Sequence, residues 1–158
     1  MNKVTLTAYC LLSCLLATYS QFTLACGENL PPSKLLFIEN KGQLPEQVQY
    51  SVEMNVARLY LENNRLRYWL MSPDDVDAIH ESHHSALPLD YYVMDCHTFN
   101  VHFDNANPTP EIVADCAAPE YNNYYIGSDP SKWASHVQLY RQTQYQSLYD
   151  GIDMSLYG

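Results

Sequence analysis

Positive charge and glycine are both scarce in this chain. Eight Lys and Arg face 18 Asp and Glu, a formal net charge of −10 over 158 residues. A surface of that sign repels polyanions, so nucleic acid and an anionic membrane face are poor partners. Proteins, neutral glycans and cations remain open. Only five Gly are present, leaving little material for backbone loops that cradle phosphate. No P-loop, dinucleotide fingerprint, G-x-S-x-G elbow, C-x-x-C pair or EF-hand loop occurs. No cofactor is expected. No internal repeat or low-complexity block is present either.

The one long uncharged run is at the start. Lys3 precedes Val4 to Ser20, which carry no charge and are mostly apolar. The run is short for a membrane span and small residues follow it, which predicts an export signal over 1–25. The alternative is a buried N-terminal helix or strand. Thr23-Leu24-Ala25 fits a signal-peptidase site and leaves Cys26 first. The same residues half-fit a bacterial lipobox, in which Cys26 would be lipidated and would tie the chain to a membrane. Residues 26–34 contain Pro31 and Pro32 and read as an extended linker.

Cysteine is limited to five residues. Cys10 and Cys14 leave with the leader. In an oxidising compartment Cys96 and Cys116 can pair, which leaves Cys26 over. Two buried thiols that never meet are the alternative.

Aromatic residues, in contrast, are plentiful. They make up 13% of the chain, and Tyr alone occurs 14 times. Tyr favours strands and partly buried faces, because its ring packs while its hydroxyl stays wet. Apolar residues at period two predict a strand over 48–54, where Val48, Tyr50, Val52 and Met54 alternate with polar residues. A first strand is expected over 35–38, followed by a turn at 39–45. A hairpin is expected over 58–62 and 65–70, with Asn63-Asn64 as its turn. Strands follow in 91–103, at 111–114, near 124–126 and over 137–149. Asp150-Gly151 then turns the chain into a last strand through Ile152, Met154 and Leu156. That strand has no following element, so the domain is expected to continue beyond Gly158.

Two helical pieces are expected. Ser72-Pro73-Asp74-Asp75 supplies a capping hydroxyl, a Pro at the first position and acids in the first turn, which predicts a surface helix over 73–86. Asp129-Pro130 repeats the pattern and predicts one turn near 130–135, with Trp133 as its anchor. The whole reads as mainly β: an antiparallel, sandwich-like fold with one short helix.

The sharpest chemical motif is His80-Glu81-Ser82-His83-His84. Two His one helical turn apart can bind zinc while the Glu activates water. His80 and His84 are thus candidate metal ligands, and a zinc hydrolase is one functional alternative. Against it, the helix is surface-like and Asp90 is the one nearby third ligand. His97 and His102 lie on opposite faces of a regular strand and cannot chelate together. His136 stands alone. Asp74 and Asp75 are explained by the helix start. No catalytic residue is assigned. Tyr faces and Trp133 can stack on sugar rings, which makes a carbohydrate-binding module the other alternative.

Several stretches together resemble a family. Phe37-Ile38-Glu39-Asn40-Lys41-Gly42-Gln43 resembles the E-N-K-G-Q opening of an N-terminal domain of unknown function in large secreted proteins of Bacteroidota. Tyr124 to Val137 resembles that family's Y-I-G-x-D-P-S-K-W-x-x-x-V block, and Leu148 to Asp153 its Y-x-G-I-D turn. His97 to Phe103 and the Asn105–Pro108 turn resemble the preceding strand and turn. Leu44 departs from the Trp usual in the family. The resemblance implies a surface protein that continues into SBBP-type propeller repeats or immunoglobulin-like and PKD-like modules. Many such proteins end in a gliding-motility or type IX sorting domain. It implies no catalytic residue. The expectation is a non-enzymatic module for adhesion or assembly, secreted or at the cell surface, with protein or glycan partners.

Overall fold

The computed structural model describes residues 35–82 and 93–158. The expected leader, the 26–34 linker, Cys26 and His84 lie outside these residues. Among the described residues eight strands form one curled antiparallel sheet, in the sandwich-like β class the pattern implies. They are β1 (Phe37–Glu39), β2 (Val48–Met54), β3 (Ala57–Glu62), β4 (Arg65–Met71), β5 (Cys96–His102), β6 (Glu111–Tyr124), β7 (Ala134–Tyr149) and β8 (Ile152–Tyr157). The order across the sheet is β5-β4-β3-β2-β1-β7-β6, with β8 paired to β7. Among the described residues one helix, α1 (Pro73–Ser82), leads from β4 towards β5. The remainder of its expected span, to residue 86, lies outside the described residues. A 3-10 turn at Pro130–Lys132 precedes β7. Among the described residues, no helix is long and apolar enough to cross a membrane.

β1 is short, but both its faces are covered. Phe37 packs into a cluster with Val52, Leu61, Leu66, Tyr145 and Leu148. Ile38, its neighbour on the opposite face, packs with Ala118, Ala134, Val137 and Leu139. Successive strand residues point to opposite faces, so β1 ties the two clusters together. The larger cluster joins β2, β3 and β4 to the C-terminal half of β7, with Met154 and Leu156 of β8 against its side. β7 is long enough to serve both halves: Leu139 and Tyr140 pair with β1, and residues from Gln142 on pair with β8.

The hairpin β3–β4, the turn at 104–108 and the Asp150-Gly151 turn lie where the sequence places them. β6 differs. It runs unbroken through Glu111–Tyr124, whereas the sequence suggests two short pieces. Pro119, Asp115 and the Asn122-Asn123 pair hide the strand. β6 is an edge strand, and its ladder with β7 shifts register between Ala117 and Tyr121. Pro is tolerated at an edge and in a bulge, because no ladder donor is needed there.

The disulfide reading needs correction. Cys116 is disulfide-bonded, and Cys96 is free and exposed. Cys96 lies on β5 and Cys116 on β6, at opposite ends of the strand order with five strands between them. A bridge between them would hold their Cα atoms within about 7 Å, and Cys96 is instead a free thiol.

Candidate functional site

Polar side chains from the motif-bearing stretches act first on the backbone. Asn40 closes the turn after β1. Its amide donates to the carbonyls of Leu44 (3.2 Å), Pro45 (3.1 Å) and Val48 (2.7 Å). Its carbonyl oxygen accepts from the N–H groups of Gly42 and Leu44, both at 3.0 Å. One side chain thereby reaches five backbone groups around the turn, of which the Pro45 carbonyl also accepts the Val48 N–H. Gly42 takes φ +107, which a β-carbon would make costly. Lys41 reaches out of the same turn and donates to the His136 carbonyl at 2.7 Å. It also stands 3.4 Å from the Glu39 carboxylate. This bond joins the first motif to the aromatic block almost a hundred residues later.

That block is fixed in the same manner. The Asp129 carboxylate accepts from the N–H (3.0 Å) and hydroxyl (2.7 Å) of Ser131. The two bonds favour the ionised form and hold its pKa below the ordinary carboxylate value. Pro130 then starts the 3-10 turn, closed by the Trp133 N–H on the Pro130 carbonyl. The Trp133 indole N–H donates to the Gly127 carbonyl at 3.2 Å. His136 has φ +52, and the Asn123 side chain accepts its N–H at 3.0 Å. Gln138 donates to the Ala118 carbonyl at 2.7 Å and supports the β6 bulge. At the next bend Ser147 has φ +51, and Asp153 accepts its N–H at 2.7 Å.

The rings in this region face outward. Tyr124 turns in against the Ile38 cluster, and its neighbours Tyr121 and Tyr125 are exposed. Tyr121 stacks on His136 with centroids 4.5 Å apart. Tyr125 meets Trp133 edge-to-face at 5.9 Å. Tyr125 is 60% exposed, Ile126 76% and Trp133 44%. Tyr121 belongs to one pair and Tyr125 to the other, four residues on in the chain and just past the end of β6. Both rest on backbone that side chains have fixed. The sequence marks Trp133 and the Tyr supply, but the pairing of Tyr121 with His136 is legible only once the strands are in register. The alternation of Tyr121, Asn123 and Tyr125 around an inward Tyr124 is the signal that could have found it.

A second polar centre is buried. Glu62 is 3% exposed and takes Arg65 Nε at 2.5 Å on one oxygen. Arg67 lies 2.8 Å from the other oxygen, as an ion pair off the line of a well-directed hydrogen bond. The Tyr145 hydroxyl, fully buried, donates to the Glu62 carbonyl at 2.9 Å. Burial, and then the Glu62 charge, push the Tyr145 phenol well above its ordinary range. An open groove beside this centre is lined by Glu46, Gln47, Gln49, Asn63, Asn64 and Arg65. Its carboxylate is already neutralised by two guanidinium groups, which makes the centre a clamp between β3 and β4 rather than a reactive acid.

His80 and Glu81 lie exposed on α1, and His84 lies outside the described residues. His97 and His102 are exposed on β5. Among the described residues, no three His, Cys, Asp or Glu side chains are placed to share a metal. Comparison with curated proteins and with solved structures gave no match. A family model described as a domain of unknown function (DUF7948) matches residues 37–158, from the first residue of β1 to the last of the chain. The chain therefore belongs to the DUF7948 family of domains of unknown function.

Proposed function

We propose that the chain is a non-enzymatic interaction module at the start of an exported, multidomain surface protein, serving adhesion or assembly. One observation carries this reading: the Tyr121–His136 and Tyr125–Trp133 pairs stand exposed on backbone fixed by Asn123, Asp129 and the Gly127 carbonyl. Ordered, exposed aromatic rings bind with little loss of side-chain entropy. The net charge of −10 favours neutral or basic surfaces over polyanions. The resemblance to Bacteroidota surface proteins with propeller repeats and sorting domains supports the same location and architecture.

Neutral glycan is the second reading, favoured by the exposure of Tyr121, Tyr125 and Trp133, since sugar rings stack on aromatic faces. The test is binding of the labelled chain to cell envelopes of the producing organism and to an array of neutral glycans. Trp133→Ala and Tyr121→Ala should each abolish capture while lowering the melting temperature by no more than a few degrees. Retention by envelope protein alone selects the assembly reading, and retention by glycans selects the carbohydrate reading. Capture that survives both substitutions overturns the assignment of this face.

A further inference from the structure

The open groove beside the Glu62 centre encloses about 580 Å³, within the roughly 300–1,000 Å³ common to small-ligand sites. The start of β2 and the Asn63-Asn64 hairpin turn wall it, and Pro108 completes the lining. Gln49 enters through a bulge. Val48 lies opposite Glu62 and Tyr50 opposite Leu61, so Gln49 has no partner on β3. Bulges re-aim side chains and are over-represented beside functional sites. Asn40 holds this one. Its amide donates to the Val48 carbonyl at 2.7 Å, and its backbone N–H donates to the Gln49 carbonyl at 3.0 Å. Among the described residues, no hydrogen bond engages the side chains of Gln47, Gln49, Asn63 or Asn64. Four amide side chains around one groove are thus left without an internal duty.

We propose that this groove binds a short neutral saccharide. The lining selects the ligand. Each amide side chain carries two donors and an acceptor, and each sugar hydroxyl donates and accepts at once, so neighbouring hydroxyls match one amide as a pair. The carboxylates of Glu46 and Glu62 are offset by Arg65 and, beside it, Arg67, so an ionic ligand gains little. Pro108 is the one apolar member of the lining, so a hydrophobic ligand finds little to bury against. An extended peptide finds no free edge to join. The Val48 N–H is taken by the Pro45 carbonyl, and the Val48 and Gln49 carbonyls are taken by Asn40. The groove is also separate from the aromatic face. Asn107, next to Pro108, donates to the Leu148 carbonyl at 2.9 Å near the end of β7, whereas Trp133 precedes the first residue of that strand. The groove therefore stands or falls independently of the aromatic pairs.

The test is an NMR titration of the nitrogen-15-labelled full chain with maltose, cellobiose and diacetylchitobiose at millimolar concentrations, with tetraglycine as the peptide control. Expected are saturable shifts of the Gln47, Gln49, Asn63 and Asn64 side-chain amides with at least one disaccharide and none with tetraglycine. Gln49→Ala and Asn64→Ala, both at exposed positions, should each weaken that binding about tenfold, as the loss of one hydrogen-bonding side chain predicts. Trp133→Ala should leave it unchanged. The wild-type titration decides the matter even where a variant fails to fold. Saturable shifts confined to the Trp133 indole and its neighbours overturn the groove and keep the carbohydrate reading of the aromatic face. Groove shifts with tetraglycine alone overturn the ligand class. No saturable shift with any of the three disaccharides overturns the proposal and leaves the assembly reading of the aromatic face standing.

Discussion

The turn at 40–47 and the β6–β7 end of the sheet carry the most distinctive residues of the chain and use them in opposite directions. In the first, Asn40, Lys41 and Gln43 point at carbonyls and N–H groups, and little is left for a partner. In the second, Asn123, Asp129 and Gln138 do that work, while Tyr121, Tyr125 and Trp133 present their rings to solvent. A distinctive motif is therefore not by itself a site. The residues with no internal duty are the ones to test for function, and the Lys41–His136 bond makes the first region a brace for the second.

Asn40→Ala should show the largest effect. It removes the side-chain bonds around the turn, leaving the Pro45 carbonyl its Val48 N–H, and a loss of about 3 kcal/mol in denaturant unfolding is expected. Asn40→Asp sharpens the comparison: it keeps the acceptor, sets a charge against three carbonyls, and should be no better than Ala. Glu62→Gln comes next. It leaves two guanidinium groups without a counter-charge, at a cost of about 2 kcal/mol, softened because both Arg side chains are some 30% exposed.

Alkaline titration probes the tyrosines packed in the sheet. Burial raises the pKa of Tyr145, Tyr50 and Tyr140 above 10.0 in the folded chain. The unfolded chain ionises first as pH rises. The stability these groups contribute is therefore full below about pH 10 and is lost as pH climbs through their folded values. Tyr145→Phe should flatten that loss. Trp133→Ala should have the smallest effect on stability, about 1 kcal/mol or less, with its consequence falling on binding instead. A stability loss as large as that of Asn40→Ala would erase the distinction between the two regions.

Much of this fold is legible in the sequence. Val48, Tyr50, Val52 and Met54 announce β2, and Asp150-Gly151 announces the β7–β8 turn, because burial on one face and a positive φ leave local signatures. Cross-strand relations do not. β6 disappears behind Pro119 because propensity reads a residue without knowing that its strand lies at an edge. Cys96 and Cys116 are close in sequence, yet the strand order sends them to opposite ends of the sheet. The Tyr121–His136 stack depends on a register set by a bulge at residues 135–136, which no periodicity announces.

Amide hydrogen exchange on the wild-type chain and on Asn40→Ala tests most directly the claim that motif side chains hold the backbone beneath the exposed rings. In the wild type, the Gly42, Leu44, Ser131 and His136 amides, each bonded to a side chain, should exchange far more slowly than open loop amides. In Asn40→Ala, protection should vanish at Gly42 and Leu44 and weaken at His136, where Lys41 reaches across. Rapid exchange at all four positions in the wild type would contradict the account.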